Sequence, residues 1–296
     1  MRYSDFRQVD VFTATPFKGN PVAVVMDATG LSGAQMQAIA RWTNLSETTF
    51  VFPHHHCQAD YHVRIFTPGR ELPFAGHPTI GTAFALLEAG AVSAKNGKLV
   101  QSCQAGLIPL EVSESASGTR NIAFSMPDLS LIPLNEAQQK LLGRALGCEL
   151  VSDTPPQLID AGPRWIVAQV KDVTALDGIS PDNQALKTLD SALEATGTCV
   201  FGYDSNTDTP SVCVRAFVPS CGIDEDPVCG SGNGCVAAFI RHYALPQGIN
   251  GHITSSQGKH VGRDGKITLT LSDNDILVAG EAVTSISGNI ALPDTE

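Results

Sequence analysis

The chain has 296 residues, 43% hydrophobic and 17% charged, with a formal net charge of −11. That balance belongs to a globular protein with ample length for a core. It argues against nucleic acid, whose phosphate contacts need clustered Lys and Arg, and no apolar run approaches the ~20 residues of a membrane span.

The first element is VDVFTATPFKGNPVAVV at 9–25, a strand, a Gly/Pro turn and a Val-rich strand. LSGAQMQAIARWTN at 31–44 follows as a helix, with Met36, Ile39, Ala40 and Thr43 on one face. SETTFVF at 46–52 reads as a strand. The histidine run 54–56 after Pro53 reads as a solvated turn, because no second His or Cys cluster completes a metal set. VRIFTP at 63–68 is a proline-closed strand, and FAGHPTIGTAFALLEAG at 74–90 is a Gly turn opening a helix, with Pro78 read at its first helical position. MPDLSLIPLNE at 126–136 is read as a boundary loop before a fresh helix, AQQKLLGRALG.

The second half repeats this order. IDAGPRWIVAQV at 159–170 answers the first strand pair, Asp160 matching Asp10. ISPDNQALKTLDSALEATG is the first helix again, with Leu186, Leu189 and Leu193 on one face. GTCVFGY at 197–203, VRAFVP at 214–219 and VCGSGNGCVAAFIRHYA at 228–244 complete the set, at an offset of about 150 residues. The second helix of each half is apolar nearly all round, so it is expected to be buried with strands wrapped around it. GKITLTLSD at 265–273 supplies alternating residues for such a sheet. The expected organisation is α/β (α+β), with two pseudo-symmetric halves at 1–126 and 127–279, the last strand, about 280–296, being able to return to the first. If the halves face each other, both helix N-termini present free N–H groups to one cleft.

Residues Gly232 to Ala237 match a loosened dinucleotide fingerprint, G-x-G-x-x-A. The stretch before them holds Asp224, Glu225 and Asp226, which would repel a pyrophosphate, and no acid lies about 20 residues on. A small carboxylate suits these helix starts better. Glu47, before an apolar strand, is a candidate general acid/base, and the repeat position near Thr196 and Gly197 has no acid. His77 at a helix start can relay a proton, Asp226 can hold an amine, and Ser231 is placed to cap its helix. Cys229 at a helix N-terminus is expected to have a lowered thiol pKa, but its repeat partner is Ala75, so a two-thiol pair is incomplete. The eight cysteines form no CxxC pair, and most are expected to be small buried hydrophobes. MRYSDFRQVDVF lacks a leader pattern, which points to a cytoplasmic location.

VDVFTATPFKGNPVAVV, NLSETTFV, RIFTPGRELPFAGHPTIGTA and GIDEDPVCGSGNG resemble the phenazine-biosynthesis isomerase-like (PhzF-like) family of the diaminopimelate epimerase superfamily. The resemblance covers essentially the whole chain. It implies two halves, each a mostly antiparallel β-barrel around a central helix, and commonly a homodimer. It implies a trans-2,3-dihydro-3-hydroxyanthranilate isomerase-like reaction on a small amino- or hydroxy-carboxylic acid, without cofactor or metal. By motif match Glu47 shuttles the proton, assisted by His77, Asp226 and Ser231. The candidate substrate-binding residues are Gly76, Gly230, Cys229 and Asn20. A racemase or epimerase using Cys229 with Glu47, or a binding protein on an enzyme scaffold, are the alternatives.

Overall fold

The computed structural model describes residues 2–53, 56–114, 118–207, 209–245 and 251–293. The chain divides into two units, Met1–Phe124 with Ala279–Glu296, and Ser125–Val278.

The first unit contains β1 (Arg2–Val11), β2 (Asn20–Val25), α1 (Gly33–Thr43), β3 (Glu47–Phe52), β4 (Tyr61–Phe66), β5 (Glu71–Leu72), α2 (Gly76–Glu88), β6 (Lys98–Cys103), β7 (Gly106–Glu114) and β8 (Arg120–Ser125). The second contains β9 (Ser130–Pro133), α3 (Glu136–Leu146), β10 (Gln157–Asp160), β11 (Arg164–Gln169), α4 (Val173–Asp177), α5 (Asn183–Leu193), β12 (Gly197–Tyr203), β13 (Ser211–Phe217), β14 (Glu225–Asp226), α6 (Gly230–His242), β15 (Gly251–Gln257) and β16 (Gly265–Leu271). The long β17 (Ile276–Leu292) starts in the second unit and continues in the first.

In the first unit the strands close in the order β1, β2, β3, β4, β6, β7, β8, β17 and back to β1. Closure leaves no free edge. Most pairs are antiparallel, while β2–β3 and β4–β6 are parallel. The crossover between β2 and β3 is α1, whose apolar face buries Met36 and Ala40 against Phe50 and Phe66. α1 starts at a capping box, Ser32 accepting the Gln35 N–H while the Gln35 side chain accepts the Ser32 N–H. α2 has no polar face, and its residues from Gly76 to Ala83 are buried inside the barrel.

The second unit repeats this plan. β9, β10, β11, β12, β13, β15 and β16 pair in succession, again with two parallel steps, β11–β12 and β13–β15. α6 is its buried central helix and α5 its crossover helix, with Leu186 and Leu189 in the core. The α/β class and the barrel wrapped around a helix hold as expected.

Three expectations are corrected. Residues 130–133, read as loop, form β9, because Ser130 to Pro133 pair with Asp160 to Gln157. Pro78 is the third residue of α2, not the first; it still lies in the turn whose N–H groups lack intrahelical partners. Cys103, Cys199, Cys229 and Cys235 are buried, Cys148 and Cys213 half-buried, and Cys57 and Cys221 exposed. Half of the thiols, rather than most, are therefore core residues, and none of the eight is in a disulfide. His54 and His55 of the histidine run lie outside the described residues. Among the described residues no cluster of three His, Cys, Asp or Glu is placed to hold a metal ion, and no helix is long and apolar enough to cross a membrane.

Candidate active-site groups in the two units

The sequence-predicted residues fall into two groups, one in each unit. In the first unit the parallel pairing of β2 and β3 sets Val22 opposite Glu47. This brings Glu47 level with the start of β2, where Asn20 is fully buried. α2 rises inside the barrel with His77 as its second residue. The result is a contact of 3.2 Å between His77 Nε2 and Glu47 Oε2, with side chains only 8% and 16% exposed.

Burial pulls the His77 imidazole down to about 3, outweighing an opposing hydrogen bond to the Pro21 carbonyl. The ring is therefore neutral, and the Glu47 contact is not an ion pair. A neutral imidazole carries one N–H. With Nε2 against Glu47, Nδ1 is the nitrogen left for the Pro21 carbonyl, so Nε2 turns its lone pair to the carboxyl group. Gly76 opens the helix because a Cβ there would lie 2.5 Å from the Phe124 ring. The N–H groups of Gly76 and His77 have no intrahelical acceptor, and Pro78 removes the third donor altogether.

In the second unit α6 starts in the same way with Gly230 and Ser231. Ser231 is the second helical residue, not the cap. The cap is Cys229, whose Sγ accepts the Gly232 N–H at 3.2 Å. Gly232 has no room for a Cβ, which would meet Cys199 Sγ at 2.5 Å and Cys229 Sγ at 3.1 Å. Burial pushes the Cys229 thiol well above its usual range, and the Asp226 carboxyl adds to the rise, against the Gly232 N–H and Ser231. The lowering expected from the helix N-terminus is thus overturned: the dipole effect is smaller than the cost of an anion out of water.

Ser231 Oγ accepts the Trp165 indole N–H at 3.1 Å and lies 3.6 Å from Cys229 Sγ. Because indole only donates, the Ser231 hydroxyl keeps its own hydrogen for another acceptor. Asp226 Oδ1 accepts the Val228 N–H at 3.0 Å. Burial pushes the Asp226 carboxyl up to about 6, with the Val228 bond pulling down and the Glu225 charge pushing up.

The repeat registers show which groups are extra. Val22 faces Glu47 as Trp165 faces Gly197, and a Cβ on Gly197 would sit 2.3 Å from the Phe217 carbonyl. The second unit has no space for a Glu47 counterpart. Ile65 pairs with Leu72 as Ala216 pairs with Asp226, so the acid replaces a leucine. Sequence reasoning missed Trp165. Its available signal was position, since this tryptophan stands near the start of β11 where the matching strand of the first half has Val22.

A family model described as phenazine biosynthesis-like protein matches residues 9–288. The chain is 40% identical to antisense-enhancing sequence 1 of Schizosaccharomyces pombe, over 97% of this chain and 99% of that protein. It is 36% identical to a trans-2,3-dihydro-3-hydroxyanthranilate isomerase of Pseudomonas chlororaphis over 86% of each chain. A crystal structure of the PhzF-family phenazine biosynthesis protein of Bacillus anthracis matches with a TM-score of 0.87 at 26% identity, covering 99% of this chain and 100% of that one. With named isomerases among its relatives and a match along nearly its whole length, the chain belongs to the phenazine biosynthesis-like protein family and is an isomerase.

Proposed function

We propose that the protein is a cofactor-independent isomerase in which Glu47 moves a proton between carbon atoms of a small amino- or hydroxy-carboxylic acid. The observation that carries this reading is the half-buried Glu47 carboxyl against a neutral His77 ring. The Nε2 lone pair accepts a proton held on the carboxyl, so His77 steadies the acid form. Once the proton is delivered, carboxylate and lone pair face each other, which favours return of a proton to Glu47. His77 thus acts as an orienting base rather than as a cation.

The same proposal assigns an anion-binding role to the N–H groups at each helix start, Gly76 with His77 in the first unit and Gly230 with Ser231 in the second. The Ser231 hydroxyl, which accepts from Trp165 and lies 3.6 Å from Cys229 Sγ, is assigned as a further polar contact. Asp226, protonated below pH of about 6, can give or accept a hydrogen bond at an amino or hydroxyl group. Asn20, fully buried at the start of β2, is assigned to substrate binding in the same proposal. A Cys229-based racemase has less support, because its sulfur caps α6 and its thiol is pushed away from ionisation.

The test is proton exchange in D₂O, read by loss of C–H signals from trans-2,3-dihydro-3-hydroxyanthranilate and a panel of amino and hydroxy acids. Glu47→Gln should stop exchange while the fold persists. Full exchange in that variant would sink the assignment.

A further inference from the structure

Asp226, the last residue of β14, and Cys229, the cap of α6, bound one short turn, and one buried side chain holds both of its ends. This is Gln257, the last residue of β15, 4% exposed. Its Nε2 donates to the Asp226 carbonyl at 2.9 Å. Its Oε1 accepts the Cys229 N–H at 3.1 Å and Asn233 Nδ2 at 2.7 Å. Asn233, fully buried on α6, also donates to the Cys229 carbonyl at 2.8 Å and accepts from the Ser255 hydroxyl. All four polar atoms of the two carboxamides are therefore bonded, which ties strand, turn and helix together.

The first unit shows how much of this the barrel itself needs. Tyr61 and His62 pair with Gln101 and Ser102 as Val212 and Cys213 pair with Ser255 and Ser256. Gln101 bonds Thr79 of α2 at 2.9 Å, just as Ser255 bonds Asn233 of α6. The helix-to-strand bond is thus common to both barrels. At the next repeat position the first unit has Cys103, a small thiol with no carboxamide reach, where the second has Gln257. The clamp on the turn is an addition to the barrel, made only where the turn carries Asp226.

We propose that Gln257 is a positioning residue that locks the Asp226–Cys229 turn to α6 and β15 and thereby holds the half-buried Asp226 carboxyl in place. This rests on the reading of Asp226 as a group that meets the substrate. Gln257→Met has similar volume and no hydrogen-bonding capacity, so it strands the Cys229 N–H and the Asp226 carbonyl. The Cys229 amide should then exchange with deuterium at least about tenfold faster, the scale of one lost buried hydrogen bond. The titration midpoint of Asp226, followed by carboxyl ¹³C NMR, should fall by about one unit as water enters. Gln257→Glu separates the two arms. It keeps an acceptor for Cys229 and Asn233, so amide protection should persist, and it places a second carboxyl near Asp226, so that midpoint should rise. An unchanged Cys229 amide and an unchanged Asp226 midpoint in folded Gln257→Met overturn the proposal. If that variant does not fold, an unmoved midpoint in Gln257→Glu overturns it instead. Undiminished proton exchange in Asp226→Asn would remove the role of Asp226 and leave the clamp measurements standing.

Discussion

α2 and α6 each run for 13 residues and each starts with two N–H groups free of helical partners. Each follows a two-residue strand whose first residue, Glu71 or Glu225, is paired to an arginine on the strand beside it, Arg64 or Arg215. Each arginine also lies over a phenylalanine ring, Phe66 or Phe217. On this shared frame the reactive side chains differ at every position. Glu47 and His77 stand in the first unit where the second has Gly197 and Ser231. Asp226, Cys229 and Gln257 stand in the second where the first has Leu72, Ala75 and Cys103. What the barrel needs is present twice, and the groups proposed for the chemistry are present once.

The sharpest break of this comparison is kinetic. Glu47→Gln removes the proposed acid/base group and should slow proton exchange about a hundred- to ten-thousandfold, the usual worth of a positioned acid/base. Cys229→Ser retains a capping oxygen for the Gly232 N–H, so exchange should fall by less than about tenfold. Measuring both rates in D₂O decides the point. Equal losses would give Cys229 a share in the chemistry that its capping bond does not explain.

The frame itself can be tested next. Arg215 and Glu225 are 9% and 7% exposed, 2.8 Å apart, and Arg215 also donates to the Ile179 carbonyl at 2.8 Å. Glu225→Ala would leave a buried guanidinium without its partner, a loss of about 3–5 kcal/mol. Arg64 and Glu71 are 33% and 28% exposed at 2.7 Å, so water can replace the lost partner. Glu71→Ala should cost about 1 kcal/mol. Urea denaturation of the two variants gives both numbers, and equal costs would mean that burial does not separate the pairs.

The repeat was legible because its signals are local: periodic apolar residues such as Met36 and Ala40, or Leu186 and Leu189, and strands punctuated by Pro68 and Pro219. β9 was not, because Ser130 to Pro133 becomes a strand only through a partner near residue 158, and Pro127 and Pro133 read as punctuation. Glu47 and His77 could each be named from their motifs. Their contact depends on a parallel strand pair and a helix threaded through the barrel, 30 residues apart in the chain. The thiol of Cys229 was misjudged for the same reason: the helix start is visible in sequence, whereas the burial that outweighs it is tertiary. Gln257 had no signal at all, since a glutamine ending a strand looks like many others until both ends of its amide find the turn.

The last test concerns the crossover helices, where the two units again differ by one acid. Ala40 on α1 is fully buried, and the matching position on α5 holds Asp190, also fully buried. The Ser220 hydroxyl donates to it at 3.3 Å, and the Thr198 hydroxyl faces it from β12. Burial pushes the Asp190 carboxyl from 3.8 up to about 6, with Ser220 and Thr198 pulling back and no charged side chain contributing. Between these two values the native state holds a proton that the unfolded chain has lost. The contribution to stability is complete below pH of about 4 and is lost as pH rises through about 6. At about 1.4 kcal/mol per unit the loss is roughly 2–3 kcal/mol. Asp190→Asn still accepts from Ser220 but does not titrate, so it should be the more stable protein at pH 7 and show a flatter pH profile from 4 to 6. Asp226 titrates in the same range with the same sign, so the difference between parent and Asp190→Asn, not the parent profile, isolates Asp190. Parallel profiles for the two proteins in thermal unfolding would show that Asp190 adds no charge cost that Ala40 avoids.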